Sequence, residues 1–130
     1  MFSHEKAVIL VIDIQGKLAA LMFEKEKVYR NIKAIIKAAR ILEIPVLWTE
    51  QVPGKIGQTV PEIAALLSPL KPIPKSSFSC CGEKKFLDAL AALKRRQMIV
   101  TGIETHVCVY QTAADLIERK YEVQVVADAQ

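Results

Sequence analysis

Ala-Val-Ile-Leu-Val-Ile at 7–12, followed at once by Asp13, is the stretch from which the architecture can be read. It is short, continuous and rich in β-branched residues, as a strand buried on both faces requires. Such a strand belongs in a parallel sheet with helices above and below it. The segment after it supplies one. From Lys27 to Glu43 the periodicity is helical, with Val28, Ile32, Ile35, Ala39 and Leu42 on one face and Lys or Arg between them. Pro45 stops that helix, and Val46 to Thr49 predicts a second strand. Residues 50–58, with Pro53, Gly54 and Gly57, read as a loop. Thr59 and Glu62 have capping-box spacing, with Pro61 in the first turn of a short helix ending near Leu67.

The remainder continues the alternation. Residues 68–82 are irregular and hold three prolines, with a brief strand expected around Ile73 to Lys75. Glu83 to Arg96 predicts a helix with Phe86, Leu87, Leu90 and Leu93 as its apolar face. Met98 to Thr101 reads as a strand ending at Gly102, Thr105 to Arg119 as a helix, and Glu122 to Ala127 as a final strand. No internal repeat or domain boundary interrupts the series. The expectation is one domain over residues 1–130, a three-layer α/β/α fold with a mainly parallel, Rossmann-like sheet.

Composition narrows the class. Of 130 residues 52% are hydrophobic and 25% charged, with 5 Gly and 6 Pro, which excludes a disordered or collagen-like chain. The run at 7–12 is far short of the roughly 20 apolar residues of a membrane span. No secretory signal pattern is visible, so a cytoplasmic protein is expected. The net charge of +4 divides evenly, each half of the chain holding 9 basic and 7 acidic residues. The densest basic cluster, Lys94, Arg95 and Arg96, falls at a predicted helix end, where cations offset the helix dipole. Neither a nucleic-acid nor a membrane partner is expected. Three cysteines without zinc-ligand spacing argue against a disulfide framework.

In open parallel sheets, ligands bind beyond the carboxyl ends of the strands, where strand order reverses. Asp13, Thr49, Glu50 and the segment from Gly102 to Cys108 all end strands, and Lys75 lies in the segment returning to that edge. With Thr105 as N-cap, Cys108 falls in the first turn of its helix, where amide donors and the dipole favour a thiolate. Asp13 could serve as base, Lys75 could hold charge in place, and amides around 104–108 could receive an oxyanion. Spacing alone favours a plainer reading, in which Cys108 is a small buried apolar residue, as most free cysteines are.

The chain also resembles the isochorismatase-like cysteine hydrolases. The resemblance rests on Val-Ile-Asp-Ile-Gln at 11–15, Trp-Thr-Glu-Gln at 48–51, Lys-Ser-Ser-Phe-Ser at 75–79, Thr-Gly-Ile-Glu-Thr-His-Val-Cys-Val at 101–109, Gln-Thr-Ala-Ala-Asp-Leu at 111–116 and Val-Val-Ala-Asp-Ala at 125–129. It implies a catalytic Asp-Lys-Cys triad at Asp13, Lys75 and Cys108. It further implies a cis peptide at Ile103–Glu104 that aims the Glu104 amide, beside that of Cys108, at an oxyanion. The implied reaction is cysteine-dependent hydrolysis of a C–N bond in a small amide through a thioester. Gln15, Phe23, Trp48, Gln51 and Phe78 are candidate pocket residues, although Gln15 and Gln51 could instead cap loops and Phe23 could be plain core. The resemblance implies a homo-oligomer, and further helix and an edge strand beyond Gln130, so the sheet is expected to be unfinished in this chain.

Departures from the family pattern matter as well. The metal-binding branch carries histidines after the second strand, whereas Thr49-Glu50-Gln51-Val52-Pro53 has none, so no metal or organic cofactor is expected. His106 reads as a polar contact rather than a base, and Cys80-Cys81 as ordinary loop thiols rather than a redox pair. The opposing class is a non-catalytic oligomeric scaffold or small-molecule binding module on the same fold. A phospho-receiver domain fits badly, because Gln15 stands where a second acidic residue is wanted.

Overall fold

The computed structural model describes residues 2–16, 19, 24–103 and 105–129, at 105, 106 and 128 by backbone alone. Its strands are β1 (Ala7–Ile12), β2 (Val46–Gln51), β3 (Ile73–Lys75), β4 (Gln97–Gly102) and β5 (Glu122–Val125). All their pairings are parallel, in the order β3-β2-β1-β4-β5. The chain steps outward from β1 to β3, then crosses back and steps outward from β4 to β5. Strand order therefore reverses between β1 and β4, and this places Asp13 beside the Gly102 end of β4.

Alternation along β1 builds two cores. Ile9 and Val11 join α1 (Lys25–Ile41) and α3 (Pro61–Leu67) on one face, with Ile32, Ile36, Ile63 and Leu67 fully buried. Val8, Leu10 and Ile12 point to the other face, toward Phe86 and Leu90 of α4 (Lys84–Leu93) and Leu116 of α5 (Tyr110–Glu118). A strand with no polar face can be buried only in this way, so the continuous run at 7–12 is the direct cause of the three layers.

Several expected boundaries shift, each for a physical reason. In α1, Tyr29 and Ile36 take the buried positions expected for Ile35 and Leu42. The helix stops at Ile41, which leaves Leu42 in the terminating turn and 48% exposed. β2 runs two residues past Thr49, because Gln51 pairs with Lys75 of β3, and a short helix, α2 (Pro53–Ile56), occupies part of the expected loop. The Thr59–Glu62 capping box does not form. Val60 is the N-cap of α3, Thr59 turns its hydroxyl to the buried Glu50 carboxylate, and Glu62 pairs with Lys33. α4 ends at Leu93 with Lys94 left-handed, so Arg95 and Arg96 lie beyond the helix rather than in its last turn. β5 ends at Val125, and Ala127–Ala129 form a tight 3-10 turn.

Gly102 shows why the sheet closes so tightly at the switch point. Its φ is +123°, and a Cβ there would overlap the Ile12 carbonyl oxygen. Only glycine fits.

Candidate functional site

Three elements deliver side chains to the carboxyl end of the sheet. β1 ends in Asp13, whose left-handed φ of 53° is a conformation that Asp tolerates better than most residues. β3 ends in Lys75, which pairing with Gln51 holds beside β2. Cys108 lies in a π-helical turn, Thr105–Val109, that runs directly into α5. Thr105 is thus not the N-cap of a regular α-helix. The wider turn places Cys108 ahead of α5 rather than in its first turn, and such turns recur at functional sites.

The three side chains meet. The Lys75 ammonium lies 2.9 Å from Asp13 Oδ2 and 3.8 Å from Cys108 Sγ. All three residues are buried. Around the same ammonium stand Gln51 Oε1 at 2.6 Å, the Ser77 carbonyl at 3.0 Å and the Phe78 carbonyl at 2.9 Å. A buried cation needs such a ring of acceptors. Asp13 Oδ1 accepts from the Thr49 hydroxyl at 2.9 Å. Its Oδ2 contacts the ammonium as an ion pair without an aligned hydrogen bond, and so keeps acceptor capacity.

Cys80 completes the cluster, and sequence reasoning passed it over. It is fully buried in the turn Cys80–Gly82, its amide donates to Thr112 Oγ1, and its Sγ lies 3.9 Å from Thr49 Oγ1. Burial pushes the Cys80 thiol up to about 12, against the opposing pull of Thr112 and Lys75. It stays a neutral thiol. Burial likewise raises the Cys81 thiol. Both cysteines are free, as expected of ordinary thiols rather than a redox pair, and both are buried. Thr49 was legible as a strand-end residue, whereas Cys80 lies in a turn after β3 with no local signal of its burial against Thr49.

The candidate pocket residues divide. Gln15 is completely buried and spends its amide on backbone, donating to the Gln51 and Gly57 carbonyls and accepting from the Gln51 amide. Of its two readings, the geometry is that of a loop tie. Gln51 turns its amide oxygen to Lys75 and its nitrogen to the Ser76 carbonyl. Trp48 belongs to the core on the opposite face from Cys108, its indole donating to Thr59 Oγ1 at 2.7 Å. Phe78 contributes its carbonyl to Lys75 while its ring is 57% exposed. Phe23 and Glu104, and with Glu104 the expected cis bond, lie outside the described residues, as does the His106 side chain. Among the described residues, no group of three His, Cys, Asp or Glu side chains is placed to hold a metal ion. Nor is any helix among them long and apolar enough to cross a membrane.

A doubly wound parallel sheet with a buried carboxylate, ammonium and thiol at its switch point defines the class: an α/β domain organised around one strand-end site. The chain belongs to the isochorismatase domain family, whose family model matches residues 7–130. It is 40% identical over 127 residues to isochorismatase domain-containing protein 2 of Danio rerio, covering 98% of this chain and 64% of that protein. Among solved structures, the MAR1 ribonuclease of Caenorhabditis elegans is 39% identical with a TM-score of 0.90, over 98% of this chain and 66% of that one. The YcaC gene product of Escherichia coli, described as an octameric hydrolase of unknown specificity, is 28% identical with a TM-score of 0.93, over 99% and 65%. The chain thus spans just under two thirds of the length of these relatives.

Proposed function

We propose that this isochorismatase-family hydrolase fold carries a cysteine-dependent hydrolase acting on a C–N bond of a small amide or amide-like molecule. The observation that supports it is the Lys75 ammonium held between Asp13 Oδ2 and Cys108 Sγ in a buried site. A cation 3.8 Å from sulfur favours negative charge there, and water exclusion strengthens the effect. Asp13 takes the thiol proton as Cys108 Sγ attacks the carbonyl carbon. The C–N bond breaks, and the same proton passes to the leaving amine. Water then adds to the thioester and gives a proton to Asp13. That proton returns to sulfur as the acid departs. Lys75 takes no proton in either step: its Nζ is held by Gln51 Oε1 and the Ser77 and Phe78 carbonyls and orients the site. The Cys108 amide, with that of Glu104, receives the oxyanion.

The small-molecule reading extends to assembly. Phe78 and Tyr110 are exposed aromatic residues close in sequence to Lys75 and Cys108, and self-association would cover them. A relative is described as octameric, and light scattering tests the point here.

The decisive experiment labels Cys108 with iodoacetamide across pH, read by mass spectrometry, and assays wild type and Cys108→Ala on a panel of small amides. Expected are alkylation well below the pH at which an ordinary thiol reacts, and turnover that Cys108→Ala abolishes. An RNA oligonucleotide belongs in the panel, since one relative is named a ribonuclease. Ordinary thiol titration with no amide turned over favours the scaffold reading. RNA cleavage that survives Cys108→Ala overturns the cysteine mechanism.

A further inference from the structure

The opposite end of the sheet carries a second site. A half-open cavity of about 500 Å³ is lined by Glu5, Lys6, Lys94, Arg95, Arg96, Gln97, Lys120 and Glu122. These residues precede or begin β1, β4 and β5, three adjacent parallel strands, so the fold gathers cations from three separate stretches of the sequence. Five of the 18 basic residues but only two of the 14 acidic ones line the cavity. Three of the four net positive charges of the chain therefore fall in one concavity.

The cations are arranged to hold something. Arg95 is anchored by donating to the His4 and Ala7 carbonyls, which leaves the rest of its guanidinium fork for a ligand. Arg96 is stacked 4.8 Å over the Tyr121 ring. Lys94 and Lys120 terminate α4 and α5 with left-handed φ values of 53° and 72°, where glycine is the unstrained choice. Offsetting helix dipoles does not account for the excess. The carboxyl ends of α4 and α5 contribute about half a negative charge each, which leaves the cavity clearly positive.

The geometry points to a binding site for a small, phosphate-bearing anion of about nucleotide size, on the side of the sheet away from Asp13. The six residues of β1 separate the two ends by about 20 Å. A half-open concavity of this volume suits a small ligand rather than a strand of RNA, which needs an extended basic track. This site stands apart from the Cys108 chemistry.

Titration calorimetry with pyrophosphate, ATP, adenosine and an RNA oligonucleotide tests the proposal on wild type and on Lys94→Gly/Lys120→Gly. Those substitutions remove two charges while relaxing the backbone. The expected result is saturable one-to-one binding of pyrophosphate and ATP, weakened by salt, with none of adenosine. The double variant should bind about a hundredfold more weakly, roughly tenfold for each lost charge-assisted bond, at an unchanged or higher Tm. Tighter binding of ATP than of pyrophosphate would extend the site to the nucleoside. Absence of saturable binding, equal affinity in the variant, or binding of an RNA oligonucleotide without pyrophosphate would each overturn it.

Discussion

Lys75 illustrates how one buried charge organises its surroundings. Four oxygen acceptors and one sulfur converge on its ammonium, three of the oxygens being neutral dipoles. Gln51 is the side-chain member of that neutral set, its Oε1 accepting from Lys75. Gln51→Ala should cost about 1.5–3 kcal/mol of stability, the range for a hydrogen bond to a charged group. It should also slow Cys108 alkylation near neutral pH. Denaturant midpoints and labelling rates check this, and an unchanged rate would remove Gln51 from the positioning role. Cys80 sets a pH limit. Its thiol titrates near 9.0 in an unfolded chain and near 12 when buried, so the unfolded state sheds its proton first as pH rises. Stability is therefore complete below about pH 9 and falls above it by up to about 1.4 kcal/mol per pH unit. Urea midpoints at about pH 8 and pH 10.5 should show a steeper loss for wild type than for Cys80→Ala.

At the scale of elements, legibility follows from pattern length. The α1 repeat is a long periodic signal and β1 an unbroken apolar, β-branched run, and their type and place follow from them. Boundaries depend on partners. β2 extends to Gln51 because β3 pairs with it, and Thr59 abandons its capping role because the Glu50 carboxylate, buried nearby, needs a donor. Neither partner is near in sequence terms that a periodicity can detect. Gly102 is legible as a strand end, but its necessity comes from the approach of Ile12. Gly102→Ala should cost about 3 kcal/mol or more, through a forbidden φ and a backbone clash together. Thermal unfolding measures it, and a loss under about 1 kcal/mol would show that β1 and β4 can separate without penalty.

For the whole molecule, burial is graded from the centre of the sheet outward. Every residue of β1 is buried, whereas none of β5 is. Hydrogen exchange should find β1 and β4 amides opening only with global unfolding and β5 amides exchanging sooner. Equal protection across the sheet would refute that gradient. The same geometry separates the two ends of the strands: a buried Asp-Lys-Cys cluster at one, a basic cavity at the other. The amino-acid order alone settled the α/β class and the parallel sheet, because periodicity and strand-end placement are local properties of a chain. It offered Asp13, Lys75 and Cys108 as candidates, which the family resemblance rather than their spacing singled out. It could not settle that Gln15 ties loops, that Trp48 faces away from Cys108, or that Cys80 sits against Thr49. Nor could it show that a net charge spread evenly along 130 residues gathers in one cavity. Those outcomes depend on which distant segments share a sheet edge or a face, and that is set by packing three layers together rather than by any one of them.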